Sequence, residues 1–384
     1  MFRRTVIVLA ATASVLAGAV PARAAADGSA AVDSQSRRCR PGAPTVIGHR
    51  GAWGYRPEHT LESYRLGIRL GADVVEQDLI STKDGVLIAR NSNELSSSTD
   101  VAAHPEFAGR KTTKVVDGAT LTGWFSEDFT LAEVKALRAT ERTPAVRPGN
   151  AAYDGRFQVP TLQEVIDLVR AESRRQHRRI GIYPETKRPT YFRSVGLPLE
   201  ERLIATLRRN GLNHRGADVP VYLQSFEPSS LQRLNRMSHL PVVQLVDAVG
   251  KPYDFVVSGD PRTFPDLVTP AGLRWVGRYA DIVAVNKDLI VPRDATGHLA
   301  APTSLVADAH RAGVQVHAWR FANENTFLPA DFRRGADPIA WGDHAAEYHL
   351  FFRLGIDGVL TDFPDAAVAA RHRRSGVGAG PGDQ

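Results

Sequence analysis

Glu76 and Asp78 stand two apart in the apolar run 74–80, VVEQDLI. Residues two apart on a β-strand face the same way, so this run presents two carboxylates side by side. Carboxylates held that close repel unless a cation lies between them, and a divalent metal is the simplest one. His49 and Arg50 close the preceding strand-like run. They add a proton-transfer group and an anion-binding group. A hard metal, an imidazole and a guanidinium together suit an oxyanion, above all a phosphate ester. Glu185 ends another strand-like run, Ile182-Tyr183-Pro184-Glu185, and Lys187 follows two residues later. Glu76, Asp78 and Glu185 together make an all-oxygen donor set, which selects Ca²⁺ or Mg²⁺ over zinc. Lys187 and Arg50 would then neutralise phosphoryl oxygens as charge gathers on them.

The elements that must position these residues alternate along the chain. Strand-like runs fall at 45–49, 74–80, 180–185, 221–226, 242–246, 282–286, 314–319 and 358–361. Helix-like runs follow most of them, at 61–70, 162–170 with 199–210, 229–237, 264–279, 304–312, 345–354 and 365–373. Repeated βα units imply a parallel sheet, and about eight of them predict a closed α/β barrel of the TIM (β/α)8 type. An open doubly wound sheet is the competing fold, but no glycine-rich dinucleotide turn supports it. In such barrels chemistry sits at the carboxyl ends of the strands. His49, Glu76, Asp78, Glu185, Gln224, Phe226, Trp319 and Asp362 all fall at or near those ends. Residues 91–158 interrupt the repeat, and a connection that long predicts a functional insertion after the second strand.

The motifs His49-Arg50-Gly51, Pro57-Glu58-His59-Thr60, Glu76-Gln77-Asp78 and Thr82-Lys83-Asp84-Gly85 occur in that order. Further on come Tyr183-Pro184-Glu185-Thr186-Lys187, Gln224-Ser225-Phe226, His317-Ala318-Trp319 and Leu360-Thr361-Asp362-Phe363-Pro364. In this the chain resembles the glycerophosphodiester phosphodiesterase family, of the secreted bacterial type, from about residue 45 to 364. The resemblance implies a metal on Glu76, Asp78 and Glu185. It also implies a pocket for glycerol or the leaving group lined by Gln224, Phe226 and Trp319, and an insertion that shapes the barrel mouth. Glu58 would bind substrate or metal, or hold His59 and Arg50. His59 itself reads as a hydrogen-bonding residue. The family uses two histidines about the phosphorus, one as base and one as acid. His49 matches the first. Where the second stands in the family, this chain has Arg90-Asn91-Ser92. An amide has no usable pKa, so Asn91 can only hydrogen-bond the substrate. Three outcomes stay open: a slower enzyme, replacement by another group such as His104, or a catalytically impaired phosphodiester-binding protein that keeps the metal site.

The expected reaction is metal-dependent hydrolysis of a glycerophosphodiester to sn-glycerol 3-phosphate and an alcohol. Small diesters and glycerol-phosphate polymers such as teichoic acid are both candidate substrates. A lipid-cleaving lyase on a related barrel finds no amphipathic apolar stretch at the strand ends to support it. The 384 residues carry a net charge of +6, 43% hydrophobic and 23% charged residues, the balance of a soluble globular protein. An arginine-rich composition accounts for that charge, and no zinc finger, aromatic RNA-binding signature or long basic helix points to nucleic acid. Phe2-Arg3-Arg4, the apolar run 5–20 and Ala22-Arg23-Ala24 read as a cleavable secretory signal over 1–24. The apolar run is short for a membrane anchor, so no stable membrane insertion is expected. Export favours Ca²⁺ over Mg²⁺, because extracellular calcium can fill a weak site. Residues 25–43, with the lone Cys39, and 371–384 read as a flexible arm and tail around a barrel at 44–370. The oligomeric state is left open.

Overall fold

The computed structural model describes residues 42–375. The expected signal peptide (1–24), nearly all of the expected arm and Cys39 lie outside the described residues. The described residues form eleven strands: β1 (Thr45–Gly48), β2 (Val74–Ser81), β3 (Leu87–Ala89), β4 (Thr112–Val116), β5 (Ala119–Gly123), β6 (Gly181–Thr186), β7 (Leu223–Ser225), β8 (Val242–Val246), β9 (Ile282–Asn286), β10 (Gln315–Phe321) and β11 (Gly358–Thr361). Eight of them pair in parallel as β1-β2-β6-β7-β8-β9-β10-β11, and β11 returns to β1. The sheet is closed, as a TIM barrel requires.

One helix from each interval supplies the outer layer: α1 (Leu61–Arg69), α2 (Leu162–Gln176), α3 (Leu199–Arg209), α4 (Pro228–Met237), α5 (Pro270–Val276), α6 (Leu305–Arg311), α7 (His344–Arg353) and α8 (Pro364–Ser375). Local chemistry fixes their starts. Thr60 caps α1 by accepting from the Ser63 amide, and Thr161 with Glu164 forms a reciprocal capping box on α2. The single helix expected over 264–279 is two, Phe264–Leu267 and α5. Proline at 270 has no amide hydrogen to continue the first helix, and it sits instead just inside the start of the second, behind the Thr269 cap.

The strands are buried on both faces, which is why they read as nearly continuous apolar runs. Val283 and Val285 of β9 pack outward in the barrel–helix core, while Ile282 and Ala284 pack inward with Val243, Leu245, Ile47 and Leu360. Within the barrel the Tyr183 hydroxyl and His317 Nδ1 share a 2.8 Å hydrogen bond. Burial pushes His317 down to about 4, so its ring is neutral.

The Thr82-Lys83-Asp84-Gly85 motif forms the turn between β2 and the short antiparallel β3. Thr82 Oγ1 donates to Asp84 Oδ1 at 2.6 Å and accepts from the Val86 amide at 2.9 Å. Beyond β3 the long connection carries the β4–β5 hairpin and several short helices before α2. At the other end α8 runs through Ser375, so the stretch expected as a tail begins as helix. Arg371 anchors it by donating to the Pro44 carbonyl and the Asp73 carboxylate. Among the described residues no helix is long and apolar enough to cross a membrane.

The barrel interior generates a stability prediction. A Cβ at Gly358 would lie 2.6 Å from His317 Cδ2, and the ring is held by Tyr183. Gly358→Ala should lower the unfolding free energy by about 1–3 kcal/mol, as overpacking does. Denaturant titration of the parent and variant reads the difference.

Candidate active site

The His49-Arg50-Gly51 turn leaves β1 through left-handed backbone, with φ of 55° at Arg50 and 96° at Gly51. A Cβ at Gly51 would sit 2.5 Å from Ser63 Oγ, so only glycine lets α1 approach this closely. The turn aims the Arg50 amide at Glu76 Oε2, 2.7 Å away. The Arg50 guanidinium pairs with Glu58 through Nη1, and its Nε lies 3.5 Å from Asp78 Oδ2. Glu58 is 0% exposed, and its second oxygen lies 2.9 Å from Arg142 Nη2. Burial opposes its ionisation, yet Arg50 and Arg142 hold its carboxyl down at about 2. Of the roles expected of Glu58, holding Arg50 is the one this geometry matches: it lies enclosed behind that guanidinium.

Sheet register builds the carboxylate row. Asp78 pairs with Glu185, and Glu185 pairs with Gln224. His49, Arg50, Glu76, Asp78, Glu185, Lys187, Gln224, Phe226 and Trp319 line one cavity of ≈ 130 Å³, with Leu245 and Leu360. Lys187 Nζ lies 3.1 Å from Glu185 Oε1 and 3.6 Å from Asp78 Oδ1. Gln224 Nε2 donates to the Tyr183 carbonyl at 2.9 Å and to Glu76 Oε1 at 3.3 Å. Phe226 and Trp319 meet edge to face at 5.9 Å, and Trp319 Nε1 donates to the Ala284 carbonyl. The two aromatics thus pack against each other and wall the cavity at once.

The carboxylates are short of cation. Burial drives Glu76 well above its ordinary value, and the neighbouring Asp78 charge adds to it. Burial likewise pushes Glu185 up to about 8, against the pull of Lys187. Asp78 goes the other way, because Lys187, His59 and Arg50 outweigh its burial. His59, Glu76 and Asp78 each offer a ligand atom within 4.8 Å of the others, a group that fits a divalent metal. His59 Nε2 lies 2.9 Å from Asp78 Oδ2, and its Nδ1 lies 2.8 Å from the Tyr64 hydroxyl. The hydrogen bonding expected of His59 is there. Its place in the tight metal-ligating group was not legible in the sequence.

His49 Nδ1 lies 2.6 Å from Asp362 Oδ1. Asp362 in turn accepts from Arg147 Nη2 at 2.6 Å, and Arg147 Nε donates to Glu324 Oε1 at 2.8 Å. Burial, with the Arg50 charge, pushes His49 down to about 4, although Asp362 opposes this. The ring is therefore neutral at neutral pH. Its Nδ1–H is committed to Asp362, which leaves Nε2 as the free base. Sequence reasoning placed Asp362 at a strand end without giving it this role, and it missed Arg147 and Arg142. The two arginines lie in the 91–158 insertion, where no motif marks them.

Asn91 lines a second cavity of ≈ 530 Å³ that adjoins the first through Glu185, Lys187 and Phe226. Its Nδ2 donates to Asp78 Oδ2 at 2.8 Å, and its Oδ1 accepts from Arg142 Nη1 at 2.7 Å. Both ends of the amide are thus engaged. His104 lines neither cavity; it stacks on Phe107 and pairs with Glu106 and Asp100.

The profile of the glycerophosphoryl diester phosphodiesterase family matches residues 49–366. The chain belongs to that family. It is 35% identical to a glycerophosphodiester phosphodiesterase of Arabidopsis thaliana over 83% of this chain and 84% of the other. It is 33% identical to one of Bacillus subtilis, again over 83% and 84%. Among solved structures, an Oleispira antarctica phosphodiesterase in complex with the product sn-glycerol-3-phosphate aligns with a TM-score of 0.54 at 20% identity, over 85% of this chain and 96% of that one. A glycerophosphodiester phosphodiesterase from Agrobacterium tumefaciens aligns at 0.52 and 17%, over 85% and 99%. At those identities the structures support the barrel fold.

The His49–Asp362 pair sets the pH behaviour. With the ring pKa near 4, the base is available above that pH and is lost below it, so the acid limb of kcat/KM should fall near pH 4, not 6.5. Asp362→Asn removes a partner that raises the ring pKa and fixes its tautomer. The variant should lose roughly 10²-fold in kcat, and its limb should move lower still. pH–rate profiles and ring-proton NMR titrations check both.

Proposed function

We propose that the chain is an exported enzyme that hydrolyses glycerophosphodiesters to sn-glycerol 3-phosphate and an alcohol, with Ca²⁺ held by Glu76, Asp78 and Glu185 beside His59. One observation carries this reading. A neutral His49 with a free Nε2 opens onto the same cavity as three buried carboxylates, Arg50 and Lys187. Bound there, the cation would neutralise the carboxylates and polarise a phosphoryl oxygen. The family membership, the names of the relatives and the leader-like sequence over 1–24 support the reading.

The residues divide the work. His49 Nε2 takes the proton from the glycerol hydroxyl beside the phosphodiester. That oxygen attacks phosphorus, and the bond from phosphorus to the alcohol breaks. Arg50 and Lys187 hold the charge that builds on the phosphoryl oxygens. Asn91 offers a hydrogen bond but no proton, so the departing alkoxide takes its proton from water. The hydroxide so formed opens the cyclic phosphate left behind, with His49 returning its proton to the glycerol oxygen. The adjoining ≈ 530 Å³ cavity gives the alcohol room, and it suits glycerol-phosphate polymers as well as small diesters. The engaged amide of Asn91 favours a second reading, a slow or purely binding form with an intact metal site.

Glycerophosphocholine assayed with calcium and with chelator separates these readings. The parent should release glycerol 3-phosphate only with calcium. Glu76→Gln should cost roughly 10²–10³ in kcat, and Asn91→His should gain roughly 10²-fold by restoring an acid. Release by the Asn91→His variant alone would establish the binding form. Silence from both, with polymeric glycerol phosphate also untouched, would sink the proposal.

A further inference from the structure

Three guanidinium groups gather on the Trp53 indole, 4.5 Å (Arg50), 4.6 Å (Arg147) and 5.0 Å (Arg320) from its centroid. Two of them are neutralised at close range. Arg50 pairs with Glu58, and Arg147 with Glu324 and Asp362. Arg320 is not. Its guanidinium makes no hydrogen bond to any described residue, and the carboxylate nearest to it, Asp362 Oδ2, is 3.8 Å from Nη1 and already taken by Arg147. It also lies over two aromatic rings, Trp53 and, at 4.4 Å, Phe327. Burial disfavours its charge; Asp362 and, less strongly, Glu324 offset part of that, while Arg147 and Arg50 add to it. A largely enclosed cation whose ion pair is long and shared is costly to keep. Aromatic contacts hold the planar group while its donor edge stays free, the arrangement that recognises phosphate with two parallel hydrogen bonds.

Its place joins it to the chemistry. Arg320 follows Trp319, which walls the catalytic cavity, and shares Asp362 with His49. Its side chain is 23% exposed, so an anion can reach it. We propose that Arg320 binds phosphate oxygens of the substrate on the His49 side of the site. The identity of the substrate rests on the phosphodiesterase reading; the anion site does not. The oxygens belong either to the reacting phosphoryl group or to the next phosphate of a glycerol-phosphate chain.

The experiment uses the exported chain, Arg320→Met and Arg320→Lys, each checked for parental melting temperature. Inorganic phosphate and sn-glycerol 3-phosphate are titrated by calorimetry. Turnover is measured on glycerophosphocholine and on a glycerol-phosphate trimer. Arg320→Met should lose roughly 10–100-fold in anion affinity or kcat/KM, carried mainly by KM, as loss of a charged hydrogen bond does. Arg320→Lys, which keeps the charge without the fork, should fall between. Loss on both substrates assigns the contact to the reacting phosphoryl group, and loss on the trimer alone assigns it to the neighbouring phosphate. Parental anion binding and parental KM in Arg320→Met would overturn the proposal, and Arg320→Lys repeats that test if the methionine variant misfolds. Absence of turnover by the parent would instead count against the phosphodiesterase reading, and the phosphate titration would still decide the role of Arg320.

Discussion

Repulsion among Glu76, Asp78 and Glu185 is the constraint around which the rest of this site is arranged. Adjacent parallel strands bring the three buried carboxylates into one small cavity, where charge is costly. Every neighbouring device offsets that cost. Lys187 lies against Glu185 and Asp78, Arg50 against Asp78, and the Arg50 amide and Gln224 donate to Glu76. The left-handed turn at Arg50 and Gly51 exists to aim those donors. Even so, Glu76 and Glu185 stay difficult to ionise, and it is this residual deficit that suits a divalent cation.

A second electrostatic layer lies behind the first and comes largely from the insertion. Arg142 links Glu58 to Asn91, and Arg147 links Asp362 to Glu324. Buried ion pairs of this kind contribute little net stability, because desolvation consumes most of their attraction. Their value is positional. Glu58 holds Arg50, and Asp362 holds His49 in the tautomer that leaves Nε2 free. The insertion therefore supplies two arginines that hold the side chains of the candidate site in place.

Asn91 shows how far the scaffold tolerates a change in chemistry. A histidine there would meet both Asp78 and Arg142, one favouring its charged form and the other opposing it. The amide satisfies both neighbours without carrying charge.

The sequence by itself determined the barrel, the order of its strands and the residues of its mouth. Those signals are local or periodic. Apolar runs mark strands buried on two faces, Thr60 and Thr161 mark helix starts, and residues such as Glu76 and Asp78 share a face because a strand repeats every two residues. Even the break of the expected 264–279 helix is carried by a local signal, Pro270. What only the tertiary structure decided are pairings between residues far apart in the chain. His49 with Asp362, Glu58 with Arg142, and Arg147 with both Glu324 and Asp362 have no spacing rule, since closure of the barrel and the return of the insertion bring them together. The enclosure of Glu58 and the free edge of Arg320 depend on the same closure. Burial and long-range charge are properties of the assembled surroundings, and no stretch of the chain contains them.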